Sequence, residues 1–181
     1  MPDLRADALE VLTGWTPPDA AQAHLAERYV AHLRAEPEAM WRHCYPDHLT
    51  ASVLVMAPER DRVLLTLHRK ARRWFQLGGH CEPGDSTLAG AALREGLEES
   101  GLPDLAIDPR PVRLSEHAVP FCDPRGGVHH LDVQFVAHPE PGDGARHRVS
   151  EESLDVRWWP VDALPDPDPD LAALVDLARL R

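Results

Sequence analysis

The feature that most restricts the fold of this chain is a helical segment bounded by glycines. A glycine pair, Gly78-Gly79, precedes residues 86–100, and Gly101 followed by a leucine and a proline ends the segment. We predict a helix here, with Asp85 or Ser86 as the residue that caps its start. Its apolar face consists of Leu88, Ala92, Leu93 and Leu97. This face has to pack on another layer, which the strand-like segments on either side can supply.

The same helix carries three acids on one side. Glu95, Glu98 and Glu99 are spaced i, i+3 and i+4, so their carboxylates can converge on one point. Like charges this close repel one another, and a bound divalent cation relieves the repulsion by accepting several carboxylate oxygens. The Gly78-Gly79 pair lets the backbone approach such an ion closely. Hard oxygen ligands suit magnesium or manganese better than zinc.

The remaining chain alternates between helical and strand-like patterns. Residues 1–45 have helical apolar spacing, and a proline-rich stretch at 165–169, which we expect to remain outside any helix, precedes a closing helical pattern. The inner face of that closing helix consists of Leu171, Leu174, Val175 and Ala178. Strands are predicted at residues 48–57, 62–68, 74–77, 112–119, 128–138 and 154–160, the first two as a hairpin. This order predicts the α/β (α+β) class, with a mixed sheet covered by helices on more than one side.

Composition excludes several classes of function. The net charge is -11, which argues against stable nucleic-acid binding because that requires a basic surface. No apolar run approaches the roughly 20 residues needed to cross a membrane, and we expect a soluble cytoplasmic protein. The cysteines Cys44, Cys81 and Cys122 form no CxxC pair, so we expect buried or incidental thiols rather than a disulfide framework or zinc knuckle.

The glycine-bounded segment resembles the signature of the Nudix hydrolase family, the MutT-like proteins. The family pattern is Gly, five residues, Glu, seven residues, then Arg-Glu-aliphatic-x-Glu-Glu-x-Gly-aliphatic, and residues 94–102 match its second half. Asp85 stands in place of the first Glu, and eight residues separate it from Arg94. Gly96 replaces an aliphatic side chain, at a helix cost of about 1 kcal/mol relative to alanine. Weaker resemblance extends over residues 48–164.

The resemblance implies a Nudix fold, in which a mixed sheet is sandwiched between helices, with an added N-terminal helical segment. The expected organisation is one Nudix hydrolase domain over 1–181, with a helical extension at 1–45 and a C-terminal helix at 165–181. The implied activity is metal-dependent cleavage of a diphosphate bond in a nucleoside diphosphate-linked or nucleoside triphosphate substrate. Mg²⁺ is the implied cofactor, with Mn²⁺ as a substitute. The expected partner is a small nucleotide-like phosphorylated molecule, with no membrane partner. Dimers are common in the family, so a homodimer is compatible with the resemblance.

The resemblance also implies roles for individual residues. The metal ligands would be Gly78 through its carbonyl, Glu95, Glu98 and Glu99. The catalytic residues would be Glu98, Glu99, Arg94, which positions a glutamate by an ion pair, and Glu152 as an acid outside the signature. For that last role Glu116 and Glu151 are alternatives, and the Glu151-Glu152 pair is preferred because it lies in a loop before a predicted strand. The substrate contacts would be Gly79, His80 and Arg73.

Two alternatives stay open at this point. One is a Nudix-fold module that senses a nucleotide without cutting it, which retention of all three glutamates disfavours. The other is an isomerase of the isopentenyl diphosphate type, which would act on isopentenyl diphosphate. A separate metal site at His130 and Asp132, which share one strand face, is a weaker hypothesis, because two ligands without a third make a poor site.

Overall fold

The computed structural model describes residues 3–120, 122–139, 153–165 and 168–181. The helices of this part of the chain are α1 Leu4–Gly14, α2 Ala20–Ala35, α3 Leu88–Ser100 and α4 Pro169–Ala178. The strands are β1 Asp47–Met56, β2 Arg62–His68, β3 Trp74–Phe75, β4 Leu77–His80, β5 Leu105–Ile107, β6 Arg113–Ala118, β7 His129–Pro139 and β8 Ser153–Pro160. None of these helices combines the length and apolar character that crossing a bilayer demands.

The strands form one mixed sheet with β1 near its centre. β1 runs parallel to β7 along most of its length and antiparallel to β4 and to the start of β2. β8 and β3 pair with β2, while β5 and β6 pair with β7. Because a parallel pair cannot be joined by a tight turn, the chain between β1 and β7 makes a long crossover that includes α3. The predicted mixed sheet with helices on both sides is confirmed.

Side chains alternate across β1 and supply two cores. Leu49, Ala51 and Val53 face one side, where they pack with buried residues of α1, α2 and α3. Leu54 and Met56 face the other side and pack with α4. α3 is therefore fixed against one face of the sheet. The β1 side chains that alternate with Leu49, Ala51 and Val53 point to the opposite face.

The N-terminal helices are joined to this framework by polar contacts as well as packing. The Gln22 side chain donates to the Leu114 carbonyl at 3.0 Å and accepts from the Leu114 N–H at 2.7 Å, which joins α2 to β6. The Asp7 carboxylate accepts from the Leu88 N–H at 2.8 Å, which joins α1 to the first residue of α3. The predicted helical character of residues 1–45 is confirmed for α1 and α2.

The structure differs from the sequence prediction at several element boundaries. The single strand predicted at 74–77 is divided, because the chain changes partner from β2 to β1 at Gln76. The first hairpin is short, with only Val55↔Leu64 and Met56↔Val63 in register. β5, three residues long, is too short for its pattern to be recognised. The closing helix includes Pro169, contrary to the expectation that the proline-rich stretch stays outside helix; as the first helical residue, this proline needs no N–H partner.

Candidate functional site

α3 begins and ends at specific capping residues. Its cap is Thr87, whose side chain accepts from the Gly90 N–H at 3.0 Å, so the prediction of Asp85 or Ser86 was wrong. Gly101 ends the helix in the left-handed conformation at φ 65°, where its N–H reaches the Leu97 carbonyl. Gly96 faces β1: a Cβ added there would lie 2.7 Å from Val53 Cγ1. Replacing the family's aliphatic residue with glycine therefore brings the helix backbone directly against the sheet.

Arg94 organises the acids around α3. Its guanidinium donates twice to Asp85, from Nε to Oδ1 and from Nη2 to Oδ2, both at 3.0 Å. It also donates to Glu95 at 2.9 Å, to Glu98 at 3.2 Å and to the His80 carbonyl at 3.0 Å. Asp85, although shorter than glutamate and displaced by one residue, thus reaches Arg94 with the fork geometry that a carboxylate prefers. Asp85 is not the helix cap because its carboxylate is bound here and to the Glu82 N–H.

The charge of Arg94 outweighs burial at Asp85. Burial alone would raise the pKa of this carboxyl, but the Arg94 hydrogen bonds and charge hold it below its ordinary value. The same contacts raise the pKa of Arg94. Both groups are therefore ionised at neutral pH.

Glu99 is held by the glycine pair. It is buried, and the Gly78 N–H donates to its Oε2 at 2.9 Å. Gly78 has φ 156°, and a side chain there would collide with Ser52 of β1. A Cβ added at Gly79 would lie 2.8–2.9 Å from the Glu95 carboxylate. Gly78 thus lets β4 lie close to β1, and Gly79 leaves the space that the Glu95 carboxylate occupies.

The arrangement fits a hard divalent cation. Among the described residues, three carboxylates, from Asp85, Glu95 and Glu98, contact the single guanidinium of Arg94, and a fourth, from Glu99, lies against the neighbouring Gly78. The Glu98 side chain is 61% exposed and open to solvent. The carboxylates supply the oxygen donors that such an ion requires, and the lack of a Cβ at Gly79 leaves space beside them. Of the three acids predicted from their spacing to converge, Glu95 and Glu98 both bind Arg94, and Glu99 is held by Gly78, next to the glycine that the Glu95 carboxylate approaches.

Other sequence-predicted residues lie elsewhere or in other contacts. Arg73 pairs with Asp168 at the start of α4, with 2.9 Å between Nη2 and Oδ2. Glu116 is bound by Arg28 of α2 through two contacts of 2.6 and 2.7 Å. Glu151 and Glu152 lie outside the described residues. Of the candidate acids outside the signature, the one that the structure describes is thus in an ion pair with an arginine.

The structure separates the residues of the weaker metal hypothesis. Asp132 accepts from Thr50 at 2.9 Å and from Ser52 at 2.6 Å, so both of its oxygens are occupied within a buried polar layer. The side-chain amides of Gln76 and Gln134 also donate to Asp132, so hydrogen-bond donors surround the carboxylate where the hypothesis expected a metal ion. His130 does share the strand face of Asp132, but its ring lies against His48 and His80 instead. Sequence reasoning missed this grouping, and only the β1–β7 register could have indicated it.

Comparison with known proteins points to one family. A family model described as the NUDIX domain matches residues 46–177. No curated protein matches the chain at a significant level. Among solved structures, the chain is similar to a dihydroneopterin triphosphate pyrophosphohydrolase from E. coli, with 19% identity and a TM-score of 0.60 over 73% of this chain and 94% of that one.

Two further structures show the same fold. One is an Ap4A hydrolase from C. elegans, with 19% identity and a TM-score of 0.58 over 71% of this chain and 93% of that one. The other is the NUDIX domain of NrtR from Shewanella oneidensis, crystallised with ADP ribose, with 22% identity and a TM-score of 0.56 over 86% of this chain and 97% of that one. With the family model matching most of the chain and the signature acids gathered around Arg94, the chain belongs to the Nudix family.

Proposed function

We propose that this protein is a pyrophosphohydrolase that cleaves a diphosphate bond in a nucleoside diphosphate-linked or nucleoside triphosphate substrate. The observation that carries the proposal is the group of three carboxylates that meet at Arg94 in the described part of the chain, next to a glycine pair that leaves room for an ion. Carboxylates alone would repel a diphosphate, so a site built this way needs a cation between acid and substrate. Family membership supports hydrolysis of a phosphoric anhydride, and the names of two similar structures contain such compounds, Ap4A and dihydroneopterin triphosphate.

The proposed cation is Mg²⁺, with Mn²⁺ as a substitute. Its protein ligands would be the carboxylates of Glu95, Glu98 and Glu99 and the Gly78 carbonyl. When bound, the ion supplies charge that stabilises the nonbridging and leaving oxygens and a position for the attacking water. Neither a thiolate nor an imidazole belongs to this ligand set, which suits magnesium rather than zinc.

Four residues of the chain have separate proposed roles in the reaction. Arg94 fixes the direction of Glu95 and Glu98 through contacts of 2.9 and 3.2 Å, and thereby holds the acids in place without substrate. Glu98, the most exposed of the three, is the acid best placed to meet solvent and the incoming phosphate. Glu99, buried against Gly78, acts as the most rigid ligand. Glu152 is proposed as the base that takes the proton from the attacking water.

Substrate contacts are proposed at Gly79, His80 and Arg73. Gly79 offers backbone close to Glu95, and the His80 carbonyl is bound by Arg94. Arg73 is paired with Asp168, so a contact with a substrate phosphate would form on binding and would compete with that ion pair. We further propose that residues 1–181 act as one domain, in the cytoplasm.

A substrate screen with product identification tests the proposal. The purified protein would be incubated with Mg²⁺ and ADP-ribose, a nucleotide sugar, a dinucleotide polyphosphate, capped RNA or a nucleoside triphosphate, and the products would be separated by chromatography. We expect cleavage between two phosphorus atoms of at least one compound, abolished by a chelator and restored by Mg²⁺ or Mn²⁺. Binding without any cleavage under both metals would instead identify a sensing module and would reject the hydrolase.

A further inference from the structure

Three histidines and a cysteine converge on the sheet face opposite α3. His48 lies on β1, His80 on β4 and His130 on β7, while Cys122 lies in the connection between β6 and β7. His48 is directly opposite His130 in the parallel register, and the ring centroids of the three histidines lie 4.9–5.2 Å apart. We call these four residues the histidine–cysteine cluster. No part of the proposed hydrolysis uses the rings of His48 and His130 or the thiol of Cys122.

The distances within the cluster match those of a four-ligand metal site. One nitrogen from each histidine and the cysteine sulfur all lie within 4.8 Å of one another. Cys122 Sγ is 3.5 Å from His80 Nε2 and 3.9 Å from His48 Nε2. Around tetrahedral zinc, with Zn–N about 2.0–2.1 Å and Zn–S about 2.3 Å, neighbouring ligand atoms lie roughly 3.3–3.6 Å apart. Closing the cluster onto an ion requires only small side-chain movements.

The orientation of His48 is that of a metal ligand. Its Nδ1 lies 3.1 Å from the Cys44 carbonyl, and since a carbonyl only accepts, Nδ1 carries the proton. The lone pair is therefore on Nε2, the atom that faces Cys122. A carbonyl that fixes the tautomer in this way is the usual outer partner of a metal-bound histidine.

Hydrogen bonding within the described residues does not account for the cluster. His130 Nε2 is buried and has no hydrogen-bond partner among them. Cys122 carries one thiol proton, which can be donated to one ring nitrogen at a time. A divalent cation can accept a lone pair from each of the four atoms at once.

We propose that His48, His80, His130 and Cys122 bind a divalent transition-metal ion of the zinc type. Imidazole and thiolate are softer ligands than the carboxylates of α3, so this site selects a different ion from the proposed magnesium site. Four protein ligands leave no position for substrate, which makes the role structural. The ion would attach the β6–β7 connection to β1, β4 and β7, directly behind the Gly78-Gly79 pair. The proposal stands independently of the proposed hydrolysis.

Cobalt titration of the metal-free, reduced protein tests the site. We expect one equivalent of Co²⁺ to bind with the visible bands of tetrahedral cobalt and a sulfur-to-cobalt charge-transfer band, and Zn²⁺ to displace it. Cys122→Ser should lose the charge-transfer band and bind Zn²⁺ more than about tenfold more weakly, because loss of even an outer partner of a metal ligand costs about that much. Cys122 is only half-buried, so this variant should keep the fold, which circular dichroism of the metal-free protein verifies.

Two controls separate this site from others. His129→Ala alters the adjacent histidine, which contacts Asp47 and is 41% exposed, and should bind cobalt as the parent does. The double variant Glu98→Gln, Glu99→Gln should also retain cobalt binding if the ion is held by the cluster. Absence of stoichiometric cobalt binding in the parent, or an unchanged spectrum in Cys122→Ser, would overturn the proposal.

Discussion

Two arginine–carboxylate clusters in this molecule use the same residue types and differ in charge balance. Arg28 of α2 binds Glu116 through two contacts and Asp47 through one, and His129 makes a further contact with Asp47. These residues come from α2, β1, β6 and β7, so the cluster joins a helix to three regions of the sheet. Arg94, by contrast, faces Asp85, Glu95 and Glu98, with Glu99 beside them.

The difference in balance separates a structural cluster from a candidate active site. Around Arg28 two carboxylates share one guanidinium, with His129 as a further partner of Asp47, so formal negative charge exceeds positive charge by at most one. Around Arg94 three carboxylates of the described residues share one guanidinium, an arrangement of like charges that a bound cation would relieve. The feature that distinguishes the candidate site is therefore the ratio of carboxylates to guanidinium groups, rather than the number of contacts between them. The comparison also argues against Glu116 as the catalytic base, since Arg28 binds both of its oxygens.

Removing charge from α3 tests the comparison most strongly. Glu99→Gln and Glu98→Gln should each lower kcat on the order of a hundredfold or more with the fold intact, because each removes a major electrostatic contributor. Steady-state kinetics at saturating Mg²⁺ would measure this, with Glu59→Gln, an exposed acid on the β1–β2 turn, as the matched control. If both variants turned over like the parent, the excess of carboxylate would have no catalytic meaning.

A smaller effect is expected from filling the space beside the acids. Gly79→Ala places a methyl group 2.8–2.9 Å from the Glu95 carboxylate, which must move aside. Since that carboxylate is the end of a flexible side chain, we expect little loss of stability but weaker Mg²⁺ binding, on the order of tenfold. Isothermal titration calorimetry would measure the affinity. Gly84→Ala, where an added Cβ meets nothing within 4 Å, is the control, and equal affinities in the two variants would contradict this account.

The Arg28 cluster should respond in the opposite way. Arg28→Gln should lower the free energy of unfolding by about 1 kcal/mol, since the pair is partly exposed and screened by solvent. Its kcat and KM should stay at the parent values, because nothing in this cluster contacts the acids of α3 in the described structure. Urea unfolding together with steady-state kinetics would measure both quantities. A variant with normal stability and reduced turnover would reverse the assignment of roles.

The smallest expected effect is in the pH dependence of stability. The Arg28 hydrogen bond lowers the pKa of Glu116 below its ordinary value, against the opposing effect of burial. Because the folded-state pKa is depressed, this stabilisation is present above the unfolded pKa of about 4.3 and is lost as the pH falls through the lower folded value. Glu116→Gln should therefore lose less stability than the parent on acidification below about pH 4.3. Parallel unfolding curves for parent and variant would contradict the expectation.

Sequence patterns predicted those features that depend on local spacing. The i, i+3 and i+4 acids, the end of α3 at Gly101 and the inner face of α4 all follow from helical periodicity, and the structure has them in place. The division between β3 and β4 was missed because it depends on which strand lies beside Gln76. The start of α3 at Thr87 was misplaced because Asp85 is bound by Arg94, a contact across nine residues.

The histidine–cysteine cluster could not be found from local spacing at all. His48 and Cys122 are separated by 74 residues, and their approach depends on the crossover that places β7 beside β1. In sequence, His130 has the polar neighbour Asp132, which suggested a pairing that the structure does not form. Long-range register decides such clusters, and a single sequence contains little information about it.

The contact between Asp7 and the Leu88 N–H has a consequence for how the molecule opens. The family match begins at residue 46, yet an N–H in the first turn of α3 finds its acceptor on α1, and Leu4, Ala8 and Leu12 share a core with Leu88. Detaching α1 would leave that amide without its acceptor and uncover the apolar base of the acidic helix. Amide protons of α1 and of the first turn of α3 should therefore exchange with deuterium as one cooperative unit. The cooperative folding unit is then expected to extend N-terminally beyond residue 46, where the family match begins.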